Sequence, residues 1–360
     1  MPNEDRSIRY HRLRRQASVL STLAAAAALV FLIATPASRT LASLVGGFVV
    51  LYVMLLALVV EAVTLPFAFQ IGWRLERKYG LSRESAAGWF RAHLKGFAVG
   101  LPIVIAAAEA VYVAARTWPE VWWLPAAAML TAGLVALVHL APVMLMPLFV
   151  RVKPLERPEL SRRLAALTAR AGVPVVGVFE WELGARTSKA NAALTGLGAT
   201  RRILVSDTLL AGYSDDEIEV ILAHELAHHV HRDLWTAVAV ESALLFLGAY
   251  AAHVVIRMAG PSVGILSPAD VAGLPLLLLT AGALSLVLSP VARAVSRRHE
   301  RRADAFALTM TRAPEAFISA MKRLGAQNLA EEDPSALTRV LFHSHPPMVE
   351  RIRRARATQA

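Results

Sequence analysis

The chain has 360 residues, 56% hydrophobic and 18% charged, with a mean hydropathy of +0.49. Soluble domains average roughly 45–50% apolar and about 25% charged residues, so an ordinary soluble globule is excluded, and so is disorder. The 38 Lys and Arg outnumber the 27 Asp and Glu for a net charge of +11, and there is no cysteine, which removes disulfide scaffolds, thiol nucleophiles and thiolate metal ligands.

A pI near 10.6 ordinarily suggests nucleic acid. Here the basic residues alternate with long apolar runs instead of forming one soluble basic face. The expected partner is therefore a lipid bilayer, with no nucleic acid.

In chain order, six stretches are long and apolar enough to cross ~30 Å of hydrocarbon: Ala17–Ala34, Leu41–Ile71, Phe97–Ala115, Val121–Val150, Leu234–Ile256 and Val271–Val291. The connectors after the first, third and fifth carry one basic residue each, Arg39, Arg116 and Arg257, leaving 35 of the 38 on the other side. The positive-inside rule then places both termini and both large polar regions in the cytoplasm of a multi-pass cell-membrane protein. Arg12, Arg14 and Arg15 before the first apolar run are also compatible with a cleaved signal. The poor A-x-A site near Thr35-Pro36-Ala37 favours an uncleaved anchor.

Within the polar stretch after Arg151, Val175–Glu180 and Ile203–Ser206 read as strands, rich in Val and Ile and bounded by Gly and Pro. Ser214-Asp215-Asp216-Glu217 has the pattern of a capping box, so a helix is expected to start there. From Arg293 onward the pattern is of charged amphipathic helices broken near Pro314, Pro334 and Pro346-Pro347. There is no internal repeat of the kind carried by inverted-repeat transporters.

On the capped helix lies His224-Glu225-Leu226-Ala227-His228. Histidines at i and i+4 share a helix face, so both imidazoles reach one zinc ion, with Glu225 beside the metal's water as general base. A catalytic zinc takes three protein ligands and keeps one open position. His229 and His231 point about 100° and 300° round the helix from His228 and read as interfacial side chains.

Glu300 is the better third ligand. His228 lies about 9 Å of helix before the fifth apolar segment and Glu300 about 15 Å after the sixth. The two segments run antiparallel, which returns both residues to one depth. Asp304 stands one turn beyond Glu300, placed to orient a ligand histidine. The same arginine-rich run also suits anionic lipid.

These residues and several others, in order, resemble the CAAX prenyl protease 1 family, integral-membrane zinc metalloendopeptidases with a glutamate third ligand. Leu65-Pro66, Lys78-Tyr79-Gly80-Leu81-Ser82 and Leu94-Lys95-Gly96 resemble its N-terminal membrane region, and Pro147-Leu148-Phe149 its entry to the catalytic domain. Asn191-Ala192-Ala193-Leu194-Thr195-Gly196-Leu197, with Arg202-Ile203-Leu204 and Asp207-Thr208-Leu209, resembles its substrate-side strand. The zinc motif, Glu300 and Asp304 follow, then His343-Ser344-His345-Pro346-Pro347 and Glu350-Arg351-Ile352.

The resemblance implies a mainly α membrane protein with an inserted small α+β, zincin-type catalytic domain. Residues 1–150 would form the membrane region with four spans. Residues 151–360 would form the protease domain with two more, at 234–256 and 271–291. It further implies one Zn²⁺ per chain, Asn191 and Ala192 on an edge strand that pairs with substrate, and His345 as donor to the oxyanion. A water-filled membrane chamber would account for Glu61, Glu109, His139, Glu241 and His253 within apolar segments.

The chain departs from the family in lacking one N-terminal segment found in eukaryotic members, in Ala193, where an aromatic is common, and in Lys189-Ala190 before Asn191. The substrate implied is a peptide or membrane protein. It is either a prenylated C-terminus or, as for related heat-shock membrane proteases, a misfolded protein. An Ala- and Arg-rich composition points to a bacterial member and favours general proteolysis. A transporter and a non-catalytic membrane scaffold are the readings from other classes, and the complete zinc set argues against both.

Overall fold

The computed structural model describes residues 2–196 and 198–358. Leu197, within the strand motif above, lies outside the described residues. The membrane region comprises α1 (Pro2–Ala34), a short α2 (Ala37–Leu44) and α3 (Val49–Phe69), then α4 (Leu75–Lys78), α5 (Ala86–Thr117), α6 (Trp123–Leu140) and α7 (Met146–Phe149). Single π-helical turns at Gln70–Arg74 and Ala141–Leu145 join α3 to α4 and α6 to α7. The second span was expected from Leu41, but the chain turns at Gly46 and Gly47, both at positive φ. Only glycine adopts that conformation cheaply, so the long helix starts at Val49.

The polar stretch then forms β1 (Val152–Pro154), α8 (Pro158–Arg170), β2 (Val178–Trp181), β3 (Ala192–Thr195), β4 (Arg202–Ser206) and α9 (Asp207–Gly212). Beyond them come α10 (Asp215–Val230), the spanning α11 (Asp233–Ala259) and α12 (Leu274–Thr311), then α13 (Pro314–Gln327), α14 (Ala336–Phe342) and α15 (Met348–Ala357). Six helices among the described residues are long and apolar enough to cross a membrane, in the six places expected. Each packs on two others, in the order α1, α3, α5, α6, α11, α12 and back to α1. Six spans therefore close a ring among themselves. Inside it a cavity of about 330 Å³ is lined by apolar side chains such as Val53, Ala108 and Leu277, with Glu241 and Trp122 among them.

The sheet order is β1-β2-β4-β3, with β2 and β4 parallel and β3 antiparallel to β4 at one edge. The strand expected over Val175–Glu180 begins three residues later, and β1 carried no sequence signal. Leu164 and Leu167 of α8, Ile203 of β4, Leu222 and Leu226 of α10 and Phe317 of α13 are fully buried in one core. That core holds α10 rigidly under the membrane ring.

Candidate active site

Helix α10 starts where the capping box requires. Ser214 Oγ accepts from the Glu217 amide and Glu217 Oε2 accepts from the Ser214 amide, at 3.3 and 2.8 Å. Asp215, Asp216 and Glu217 fill the first turn, where the helix dipole favours acids. Ile218, Leu222 and Leu226 bury one face of the helix. The adjoining face carries His224 and His228, with ring centroids 5.1 Å apart.

Opposite them α12 presents Glu300 and Asp304, both buried. His224 Nε2 lies 3.3 Å from Glu300 Oε2, and His228 Nε2 lies 3.6 Å from Oε1. The three ligand atoms all fall within 4.8 Å of one another. With Zn–N bonds of 2.0–2.1 Å, neighbouring ligands of a tetrahedral zinc sit about 3.3 Å apart, so the spacing suits such an ion. The other ring nitrogens are already engaged, His224 Nδ1 at 2.9 Å from Asp304 and His228 Nδ1 at 2.8 Å from Asp233. Each imidazole thus turns its Nε2 inward toward Glu300, the arrangement metal-binding histidines use. Glu300 Oε2 is buried and no donor meets it with hydrogen-bond geometry, which also fits a cation.

The electrostatics agree. Burial opposes charge on His224, yet the hydrogen bonds its ring donates to Asp304 and Glu300 outweigh it and push its pKa up to about 9. The pocket is built to hold positive charge between these groups. Burial pushes the Glu225 carboxyl above its ordinary value, the direction that suits acid–base work near neutral pH.

His345 brings its Nδ1 to 2.7 Å from Glu300 Oε2, and its side chain is 62% exposed, open to a ligand. Asn191 and Ala192 lie at the start of the edge strand. The Ser206 amide donates to the Asn191 carbonyl at 2.9 Å, so Asn191 faces β4. Alternation in an antiparallel ladder then turns Ala192 and Leu194 toward the free edge. His229 caps one of these groups, its Nε2 lying 2.8 Å from the Leu194 carbonyl. His231 packs edge-on against Phe306.

Sequence reasoning missed Asp233 and the role of Arg351. Asp233 holds His228 and is itself bound by Arg302. Arg351 donates to both oxygens of Asp304, at 2.8 and 2.5 Å, and so fixes the acid that fixes His224. Asp233 follows His228 by five residues, a separation that brings two side chains together only because Arg232 adopts φ 57 between the helices. Of the five ionisable residues noted in apolar segments, Glu61 pairs with His93 at 2.6 Å and Glu109 with Arg116 at 3.3 Å. His139 bonds its own helix at Val135, while His253 lies near Trp122.

Comparison with known proteins agrees with this geometry. The model of peptidase family M48 matches residues 154–359, and that described as CAAX prenyl protease N-terminal, five membrane helices, matches residues 4–151. Uncharacterized metalloprotease YhfN of Bacillus subtilis is 30% identical over 308 residues, spanning 84% of this chain and 72% of that protein. CAAX prenyl protease 1 of Saccharomyces cerevisiae is 26% identical over 321 residues, 81% of this chain and 68% of its own. The crystal structure of S. mikatae Ste24p superposes with a TM-score of 0.74 at 25% identity, covering 84% of this chain and 74% of that one. A metal-binding His-His-Glu site beneath a ring of membrane helices, and family matches along nearly the whole length, give the conclusion that the chain belongs to peptidase family M48, as a multi-pass membrane metalloendopeptidase of the CAAX prenyl protease type.

Proposed function

We propose that the metal is zinc, one ion per chain, held by His224 Nε2, His228 Nε2 and Glu300, and that residues 151–360 form the protease domain below a membrane region of residues 1–150. The observation that carries this is the pair of imidazoles whose Nδ1 atoms are each engaged by an acid, leaving both Nε2 atoms facing one carboxylate. Bound there, zinc supplies Lewis acidity to the scissile carbonyl and acidifies the attacking water.

This chain's own groups do the rest. Glu225 takes the proton from that water and returns it to the leaving amine. Asp304 and Asp233 keep the two histidines in the productive tautomer. Ala192, with its backbone groups on the free edge of β3, pairs with an extended substrate, and Asn191 flanks it with an exposed side chain. His345 turns from Glu300 to donate to the oxyanion.

The substrate is an extended peptide segment presented next to the bilayer, from a peptide or a membrane protein. The site, like both termini, faces the cytoplasm, because 35 of the 38 basic residues gather on that side. The decisive experiment substitutes Glu225→Gln in the full chain. That variant is expected to bind zinc stoichiometrically and to lose about 10²–10⁴-fold in kcat, and proteomics of chains retained by it against wild type identifies the substrate. Undiminished cleavage by the variant would sink the mechanism. Single cysteines placed in connectors of this cysteine-free chain, probed with an impermeant thiol reagent, test the sidedness.

A further inference from the structure

The first helix does more than span. Its basic N-terminal end, ahead of the apolar stretch, lies against the segment that leads to His345. Arg15 Nη1 is 2.6 Å from Glu331 Oε2, and the same oxygen is 3.2 Å from His343 Nε2. The Glu331 side chain is only 8% exposed, so a nearly buried acid links a residue of α1 to the residue two positions before His345. One turn before Arg15, His11 Nε2 lies 2.8 Å from the Leu329 carbonyl, and the Arg15 guanidinium sits 5.9 Å over the Phe342 ring. From the other side, Arg297 of α12 donates to the His343 carbonyl at 2.7 Å.

The segment needs such support. Between Gln327, the end of α13, and Met348, the start of α15, its one helix is the seven-residue α14, which exposes Leu337, Val340, Leu341 and Phe342. Stretches with little buried apolar surface open at low free-energy cost, and a catalytic group displaced by about 1 Å loses up to about a hundredfold in rate. His345 stands three residues past the end of α14 with an exposed side chain whose Nδ1 lies 2.7 Å from Glu300 Oε2.

We propose that Arg15 and Glu331 are positioning residues for His345: the N-terminal end of the first membrane helix, through Arg15, Glu331 and His343, fixes the segment from which His345 reaches the reacting carbonyl. The proposal rests on the reading of His345 as the oxyanion donor. It makes the first span part of the active-site scaffold, although its residues lie some 200 positions before the zinc helix.

The test uses the full-length, zinc-loaded protein and an internally quenched peptide that the wild type cleaves, comparing Arg15→Gln, Glu331→Gln, His345→Gln and the two double variants with His345→Gln. Arg15→Gln and Glu331→Gln are each expected to lower kcat about tenfold with KM within about twofold of wild type. In the His345→Gln background neither should lower kcat further, because all three act through one group. A nitroxide on Ser344→Cys, the only thiol in the chain, should become more mobile in both variants while zinc content is unchanged.

Wild-type kcat in Arg15→Gln and Glu331→Gln, losses that multiply with that of His345→Gln, or an unaltered nitroxide spectrum overturns the proposal while leaving the role of His345 intact. Wild-type kcat in His345→Gln removes that role, and this inference with it. If Arg15→Gln does not fold, Glu331→Gln and the spectrum at position 344 decide the matter.

Discussion

Charged groups are held in opposite ways in the two halves of the molecule. Around the metal site they are locked in buried pairs: Asp304 and Arg351 are 3% and 9% exposed, and Glu300 and Asp233 are each 8%. In the membrane ring, Glu61 and His93 remain 27% and 28% exposed, and Glu109 and Arg116 35% and 48%. Isolated charge against lipid is costly, so ionisable groups in spans turn toward one another or toward a polar interior. The catalytic half uses burial to fix geometry, whereas the ring pairs its ionisable groups at partly exposed positions.

Hydrophobic packing divides the same way. Leu164, Leu222 and Phe317 have no exposed surface in the catalytic core, while Leu286, Val287 and Val291 of α12 are 61%, 72% and 62% exposed. A span has lipid on one face and the ring interior on the other, so neither face needs a close-packed protein partner.

This contrast can be broken at several points. The largest effect is expected at Glu225→Gln, which should lower kcat by about 10²–10⁴-fold with bound zinc unchanged by metal analysis. Leu164→Ala, in the catalytic core and away from the site, should cost about 2–5 kcal/mol, read as a lower unfolding midpoint in detergent. Asp233→Asn removes the charge that holds His228 Nδ1, and should weaken zinc binding about 10–100-fold in a chelator competition, with activity restored by excess zinc. Asp304→Asn should act alike through His224, with Arg351 left as a buried cation. The smallest effect belongs to Leu286→Ala, at under about 0.5 kcal/mol. If Leu286→Ala destabilised the protein as much as Leu164→Ala, the two halves would not differ in packing as described.

Much of the site was legible because its signals are local. The i, i+4 spacing of His224 and His228, the capping box at Ser214 and the one-turn separation of Glu300 and Asp304 follow from helix periodicity alone. Glu300 became a candidate ligand because two antiparallel spans return the chain to one depth. Asp233 was not legible, since its approach to His228 depends on a single left-handed residue at the junction of two helices. Nor was the capping of Leu194 by His229, which depends on how β3 lies against α10. The break between α2 and α3 was hidden within an apolar run, where Gly46 and Gly47 register in hydropathy only weakly.

By itself the sequence determined six spans, the sorting of basic residues to alternate connectors and the metal-binding motif, because each depends on composition or on spacing within one helix. Only the tertiary structure decided that six spans close into a ring, that Asp233 and Arg351 complete the support of the metal site, and that the N-terminal end of α1 meets the segment carrying His345. Those contacts join residues up to 318 positions apart, and no local pattern encodes which distant partner a buried carboxylate will find.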